Sequence, residues 1–467
     1  MNSTSSPQGL RASVSVAQLL ALFTELLAEP LGQLWPLAPG GRHRFYHRLW
    51  SPCITLWYLL WQCLHLDCTL DAVVKDARSG GADGLCPLAK KLSAGLRSHA
   101  TTSYSDARQR LPVRWVRHAF THCTGLLRGG TRALGWHGLS VVLLDGSTLR
   151  VRPHGNLPKR FAPASNQHGS SYWCLIRVVV GFCAHSGLAL VTGLGPETVG
   201  EQAMAVPLIL RVAAAHLWIG DRNFGVWRIV RAAVQVRSHV LVRLTDVRAR
   251  RLLGRALSGA LDAPVRWTPT RHDQIDADLE RRPVDGRLLG VCLQRPGFRT
   301  QWLYLFTTLS DRTLHPAAEL VKLYGVRWHV ELNLRHLKAQ MGLGQLEVKS
   351  ARLAIKQWYA GLLAYNLIRG VMLWSAASAA VDPLRLSFAQ SRRLLRETLR
   401  QWLRPAESAL RQALWEQLLE DVAATSLPRR KKPRPTEPRC KRAVPESFPH
   451  LRGSRAAARL LLHLSKN

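Results

Sequence analysis

At 467 residues the chain is too long for one compact core, so two to four domains are expected. Its 47% hydrophobic and 20% charged residues, with 34 Gly and 25 Pro, are those of a globular chain and exclude wholesale disorder. Lys and Arg total 65 against 30 Asp and Glu, a formal charge of +35. That excess excludes an ordinary small-metabolite enzyme as the default and points to a polyanionic partner. Arg supplies 53 of the cations, a skew that high-GC codon usage produces by itself, so the sign of the charge says more than its size.

The segment Met1 to Pro30 holds an apolar stretch from Val14 to Leu27, interrupted by Gln18 and Glu25 and without a strong basic start. It reads as an amphipathic helix rather than a signal peptide. The longest apolar run, Ile54 to Leu66, contains Gln62 and is too short to cross a bilayer. The nine cysteines are scattered without a CxxC pair, which favours a reducing cytoplasm over a disulfide framework. Cys63 and Cys68 flank His65, but no second ligand pair follows at zinc-finger spacing, so they read as structural thiols.

From Val14 to about Gly130 apolar residues recur every three or four positions, the pattern of a helical region. Arg97, Arg108, Arg110, Arg114 and Arg117 give it either a DNA-binding face or a solvated basic one. The texture changes at Gly135. "VVLLDGSTL" reads as a buried strand ending at Asp145. "WCLIRVVVGFC" and "GLALVTGL" follow as a hairpin joined by "AHSG". Glu201–Ala215 then reads as a helix, "HLWIG" as a strand, Val226–Val236 as a helix and "SHVLVRLTDV" as a strand. Hairpins first and alternation second describe a mixed α/β sheet. Residues 248–299 break the rhythm as a β-rich insertion. "QWLYLFTTL" resumes the strands before one helix from about Pro316 to Met341 and another from Ala351 to about Ala379. Helices continue from Pro383 to about Ala424. A tail with eight cations to one acid between Arg429 and Arg442 reads as an extended basic arm.

On the expected helix from Pro316 to Met341, Tyr324, Arg327, Glu331 and Lys338 have offsets of 0, 3, 7 and 14. At about 100° per residue they fall within an arc of roughly 60°. A carboxylate between two cations and a phenol is poor core material but suits a surface that holds a metal ion and phosphates. Asp145, at the end of "VVLLD", and Asp221, after "LWIG", are the carboxylates a sheet would aim at the same point. Singly each is ordinary turn chemistry. Three acids at three element ends, in a chain poor in acids, argue for a hard divalent cation such as Mg²⁺ or Mn²⁺. Two such ions serve phosphodiester displacement by stabilising the attacking and leaving oxygens. His329 and His336 point away from the stripe and receive no role.

The spacing Tyr324-x2-Arg327-x3-Glu331-x6-Lys338 resembles the YREK signature of DDE transposases from bacterial insertion sequences, the IS-four group. "LLDGSTLRV" and "WIGDRNFG" resemble that family's segments around its first and second acids, and the likeness runs from about Leu139 to Arg369. The resemblance implies a ribonuclease-H-like core with an inserted β domain. It further implies a metal-binding and catalytic triad of Asp145, Asp221 and Glu331 holding two ions. Phosphate contacts from Tyr324, Arg327, Lys338 and Arg222 are implied with it. Double-stranded DNA would be the partner, at inverted repeats and at a target, with a homodimer in the DNA complex. Some enzymes of this kind hold a flipped base on an aromatic in the insertion. Trp267 is one candidate for that stacking, against the competing reading that it packs the insertion's core. A catalytically silent DNA-binding descendant and a structure-selective nuclease remain as alternative functions.

Overall fold

A computed structural model describes residues 49–65, 69–85, 91–129, 135–166, 169–271, 273, 276–293, 301–402 and 408–428, with 454, 456, 457 and 460 near the C-terminus. The chain divides into two compact units, one of Met1–Cys292 with Trp302–Arg429, the other of Leu293–Gln301 with Arg430–Asn467. The first unit carries the sheet and the helices around it. The expected helix at Val14–Leu27 and the basic arm from Arg429 lie outside the described residues.

The sheet begins with β1 (Ser140–Val151), β2 (Pro163–Asn166), β3 (Gly169–Cys183) and β4 (Ala189–Pro196), with the short helix α6 (Leu157–Arg160) between β1 and β2. β1 and β3 run antiparallel from Val142↔Cys183 to Val151↔Cys174. β4 returns antiparallel on β3 through a turn in which Gly187 takes a φ of +72°, a conformation open to glycine. Helix α7 (Glu201–Leu210) leads to β5 (His216–Gly220), and α8 (Trp227–Gln235) to β6 (His239–Leu244). β5 is parallel to β1 and β6 is parallel to β5. The order β4-β3-β1-β5-β6, with an antiparallel half and a parallel half, is the expected ribonuclease-H-like mixed sheet.

Beyond β6 the sheet continues through β9 (Gln301–Thr307), β8 (Val284–Leu293) and β7 (Leu261–Trp267). Residues 248–299 therefore supply the tail of helix α9 (Asp246–Leu253) and a β7–β8 hairpin that joins the sheet at its far edge. Trp267 is 5% exposed and meets the Phe306 ring edge-on at 5.0 Å. It packs a core and offers no face for a base.

Both faces of the sheet are covered, which is why "VVLL" of β1 is apolar at successive positions. Val141 and Leu143 belong to one core cluster, Val142 and Leu144 to the other. Against the Val142 face lie Met204 and Leu208 of α7 and Trp227 and Val230 of α8. The opposite layer is helical, with α1 (Pro52–Leu64), α2 (Leu70–Arg78), α3 (Leu92–Gly95), α4 (Thr102–Arg110) and α5 (Val113–Gly129) preceding the sheet. Its centre is α12 (Ala351–Ala379), buried nearly all round from Trp358 to Ala376, as a helix apolar on every side must be. The buried Asn366 amide at its centre is satisfied on both atoms. The Asn366 amide nitrogen donates to Thr124 Oγ1 at 2.9 Å and to the Ala189 carbonyl at 2.8 Å, while its oxygen accepts the Ala189 N–H at 2.8 Å. Helices α13 (Phe388–Trp402) and α14 (Ser408–Ala424) complete the layer. No helix among the described residues is long and apolar enough to cross a membrane.

Two expectations are corrected. β1 does not end at Asp145 but runs on to Val151, because β3 keeps pairing with it past Asp145↔Val180. Only the pairing with β5 stops earlier, at Leu143↔Ile219. Nor is Pro316–Met341 one helix. It is α10 (Ala317–Gly325), α11 (Trp328–Arg335) and a π-helical turn at His336–Gln340. Gly325 and β-branched Val326 weaken the helix at the break. There Arg327, His329 and Val330 donate to carbonyls three residues back, in the tighter 3₁₀ pattern.

Candidate active site

The register Leu143↔Ile219 brings Asp145 and Asp221, each two residues further on, to the same level of neighbouring strands. Alternation puts Asp145 and Ser147 on the Val141/Leu143 face, against which Leu320, Leu323 and Tyr324 of α10 and Val330 and Leu334 of α11 are packed. The Asp145 carboxylate accepts the Gly146 N–H at 2.8 Å. Burial pushes its pKa up to about 6, and the charges of Asp221 and Glu201 add to the rise, while the Gly146 N–H and the Arg327 guanidinium oppose it. Asp221 opens the turn "DRNF", its Oδ1 accepting the Asn223 N–H at 2.8 Å and its carbonyl the Phe224 N–H at 3.1 Å. Gly220 is required before it because a side chain there would run into that of Phe224.

The break after α10 sets the remaining groups. Tyr324 is 9% exposed, and burial pushes its phenol up to about 12 against the opposing charges of Arg327 and Arg243. Arg327 donates to Glu331 Oε1 at 2.8 Å. Lys338, carried on the π-helical turn, donates to Ser147 Oγ at 3.1 Å, two residues along β1 from Asp145. Arg222 is exposed on the turn beside Asp221. The four residues of the stripe thus sit on three successive segments rather than one helix, and Arg327 and Lys338 reach the same strand region from different directions. His336 lies elsewhere, stacked on Phe388 at 4.5 Å and accepting from Arg369 at 3.0 Å.

The family model for the transposase DDE domain matches residues 136–367. The transposase InsG of insertion sequence element IS4 from Escherichia coli (strain K12) is 25% identical over 305 residues, 62% of this chain and 66% of that protein. Residues 136–367 are a transposase DDE domain. The aligned part spans just under two thirds of the relative's length. A cryo-EM structure of the piggyBac transposase synaptic complex with hairpin DNA aligns over 90% of this chain and 87% of that one, at 11% identity and a TM-score of 0.44.

DDE transposases generally use divalent metal ions. Among the described residues no three His, Cys, Asp or Glu side chains converge at metal-holding distance. The two aspartates are neighbours, whereas Glu331 is occupied by Arg327. The donor set nevertheless suits a hard cation, being all oxygen. Asp145, whose proton affinity is raised by burial first and by the Asp221 charge in addition, forms with Asp221 a pair that a cation would stabilise.

Sequence reasoning missed two residues that the fold brings to this candidate site. Ser147 was within reach, since it stands two positions from Asp145 on a strand and shares its face. Glu201 was not. It begins α7, and its carboxylate lies over the Cα of Gly146, where an added methyl would overlap it. Its Oε2 accepts from Asn223 Nδ2 at 2.7 Å. Only the fold brings residues 146, 201 and 223 together. Of the N-terminal arginines, Arg97, Arg110, Arg114 and Arg117 are exposed, Arg117 lying over the Tyr359 ring at 5.2 Å, and Arg108 is half-buried beside Tyr104.

Proposed function

We propose that the chain is a DNA transposase that cleaves at the ends of its element and joins the freed 3′-hydroxyls to target DNA. The observation that carries this reading is the placement of Asp145 and Asp221 at one level of the sheet, faced by Tyr324, Arg327, Glu331 and Lys338. Asp145, Asp221 and Glu331 are the residues that would hold two Mg²⁺ or Mn²⁺ ions. When bound, such ions supply charge stabilisation on the attacking and leaving oxygens and ease ionisation of the attacking water.

The side chains do the rest by position. Arg327 and Lys338 offer cationic hydrogen-bond donors to phosphate oxygens on either side of the acids. Arg222 adds a third from the Asp221 turn. Tyr324, kept un-ionised by burial, contributes a neutral donor to the same backbone. The charge of +35 supplies salt-sensitive affinity for the rest of the duplex. The partners are double-stranded inverted repeats and target DNA, bound by two copies of the chain so that both ends are held together. The compartment is the bacterial cytoplasm, where the DNA is.

Incubation with a labelled DNA end, Mg²⁺ and a plasmid target tests the assignment. Covalent joining of the 3′-hydroxyl end to the plasmid is the expected result. Cutting without joining would make the protein a nuclease, and binding without cutting would leave the silent DNA-binding reading.

A further inference from the structure

Glu201 has no place in the acid triad, yet it touches both strands that carry the aspartates. On the β1 side its carboxylate covers Gly146, next to Asp145, and the missing Cβ is what makes room for it. On the β5 side it accepts from Asn223 Nδ2 at 2.7 Å. The backbone N–H of that same Asn223 holds Asp221 Oδ1 at 2.8 Å. The neighbouring Gln202 donates to the Asn223 carbonyl at 2.7 Å and to its side-chain oxygen at 3.2 Å. The first two residues of α7 therefore grip the Asp221 turn through one asparagine. Burial raises the proton affinity of Glu201, while the charge of Arg177 on β3 and the Asn223 hydrogen bond oppose that rise, and Arg177 itself lies 3.5 Å from Glu197.

We infer that Glu201 is a positioning residue that clamps the Asp221 turn, through Asn223, against β1 at Gly146 and so fixes the separation of Asp145 and Asp221. It acts through a hydrogen bond and through shape. The glutamine variant keeps an acceptor for Asn223 and nearly the same bulk, so it retains the clamp, whereas alanine removes both. A group that orients reacting side chains in this way is commonly worth 10- to 100-fold in rate.

The inference rests on the transposase reading for its catalytic arm, so the test has two arms. The first is end cleavage at saturating DNA, with DNA affinity and melting temperature recorded for each variant. Glu201→Ala is expected to cut roughly 10- to 100-fold more slowly with affinity within about twofold of the unaltered protein. Glu201→Gln is expected to lose less than about fivefold. Asn223→Ala is expected to match Glu201→Ala, and the double variant to be no slower than either single one, because both break the same link. Gly146→Ala, which pushes the carboxylate away, is expected to follow them. The second arm is amide hydrogen exchange in peptides covering Asp221–Val226 of the metal-free protein. Faster exchange is expected in Glu201→Ala and exchange close to the original in Glu201→Gln. Unchanged exchange in Glu201→Ala, or a glutamine variant as slow in cleavage as the alanine one, would overturn the clamp. If the unaltered protein cuts no DNA, the transposase reading falls and the exchange arm still decides the clamp.

Discussion

Arg327 donates to the Glu331 carboxylate at 2.8 Å while its charge also acts on Asp145. One guanidinium thus neutralises the third acid and shields the first, in a site where three carboxylates would otherwise repel. Arginine suits this because its planar fork bonds a carboxylate in a fixed direction and keeps its charge when half-buried. Arg327→Lys is therefore expected to lower end cleavage by about 100-fold or more, with DNA affinity reduced far less. Equal cleavage by the lysine variant would show that a point charge is sufficient.

Lys338 is expected to act differently. Its ammonium is free to leave Ser147 for a phosphate, so Lys338→Ala should weaken binding to all DNA sequences alike. The slope of log affinity against log salt should fall by about one. An unchanged slope in a filter-binding or anisotropy titration would remove Lys338 from the DNA contacts.

Two histidines held inside the fold give it a pH dependence. Burial and the adjacent Arg128 push His216 down to about 4, against the opposing carbonyl of Ala213. Burial, Arg369 and Arg335 push His336 down to about 3. Both folded pKa values lie below the unfolded value, so the unfolded chain binds protons more readily. Stability is full above the unfolded pKa of about 6.5 and falls as pH drops through it towards 4 and below. At pH 5 the loss is on the order of 2–4 kcal/mol, readable from urea midpoints at pH 7.5 and pH 5. His216→Gln should flatten that dependence, and an equally steep one would assign it to other groups.

Asn366 tests the helical layer independently of the chemistry. Its amide joins Thr124 on α5 to Ala189 on β4 from inside α12. Asn366→Ala leaves buried partners unpaired and should cost about 2–4 kcal/mol. A loss below about 0.5 kcal/mol in chemical denaturation would mean that water replaces the amide.

Trp267 makes a parallel case in the insertion. With its ring packed on Phe306, Trp267→Ala should lower stability by about 3–5 kcal/mol and leave affinity for DNA ends unchanged. Weaker end binding at unchanged stability would restore the base-stacking role.

The mixed sheet was legible in the sequence because strand patterns in hairpins come first, from Val141, and then alternate cleanly with helix patterns from Glu201 to Leu244. Asp145 and Asp221 were legible because both follow apolar runs that can only be buried strands. The exact end of β1 was not, since the run of β3 that extends it past Asp145 is a long-range partner. Periodicity also hid the break between Gly325 and Trp328. The hydrophobic pattern continues across it, and only the hydrogen-bond pattern changes. Glu201 left no signal at all, because its role depends on a glycine and an asparagine 55 and 22 residues away along the chain.

The most direct measurement of the acid triad is cleavage of the element's own DNA end in Mg²⁺ by the unaltered protein and by Glu331→Ala, with DNA binding followed in parallel. Metal-dependent cutting by the first, none above background by the second, and binding by both are the predicted results. Cutting by Glu331→Ala at the unaltered rate would contradict the triad.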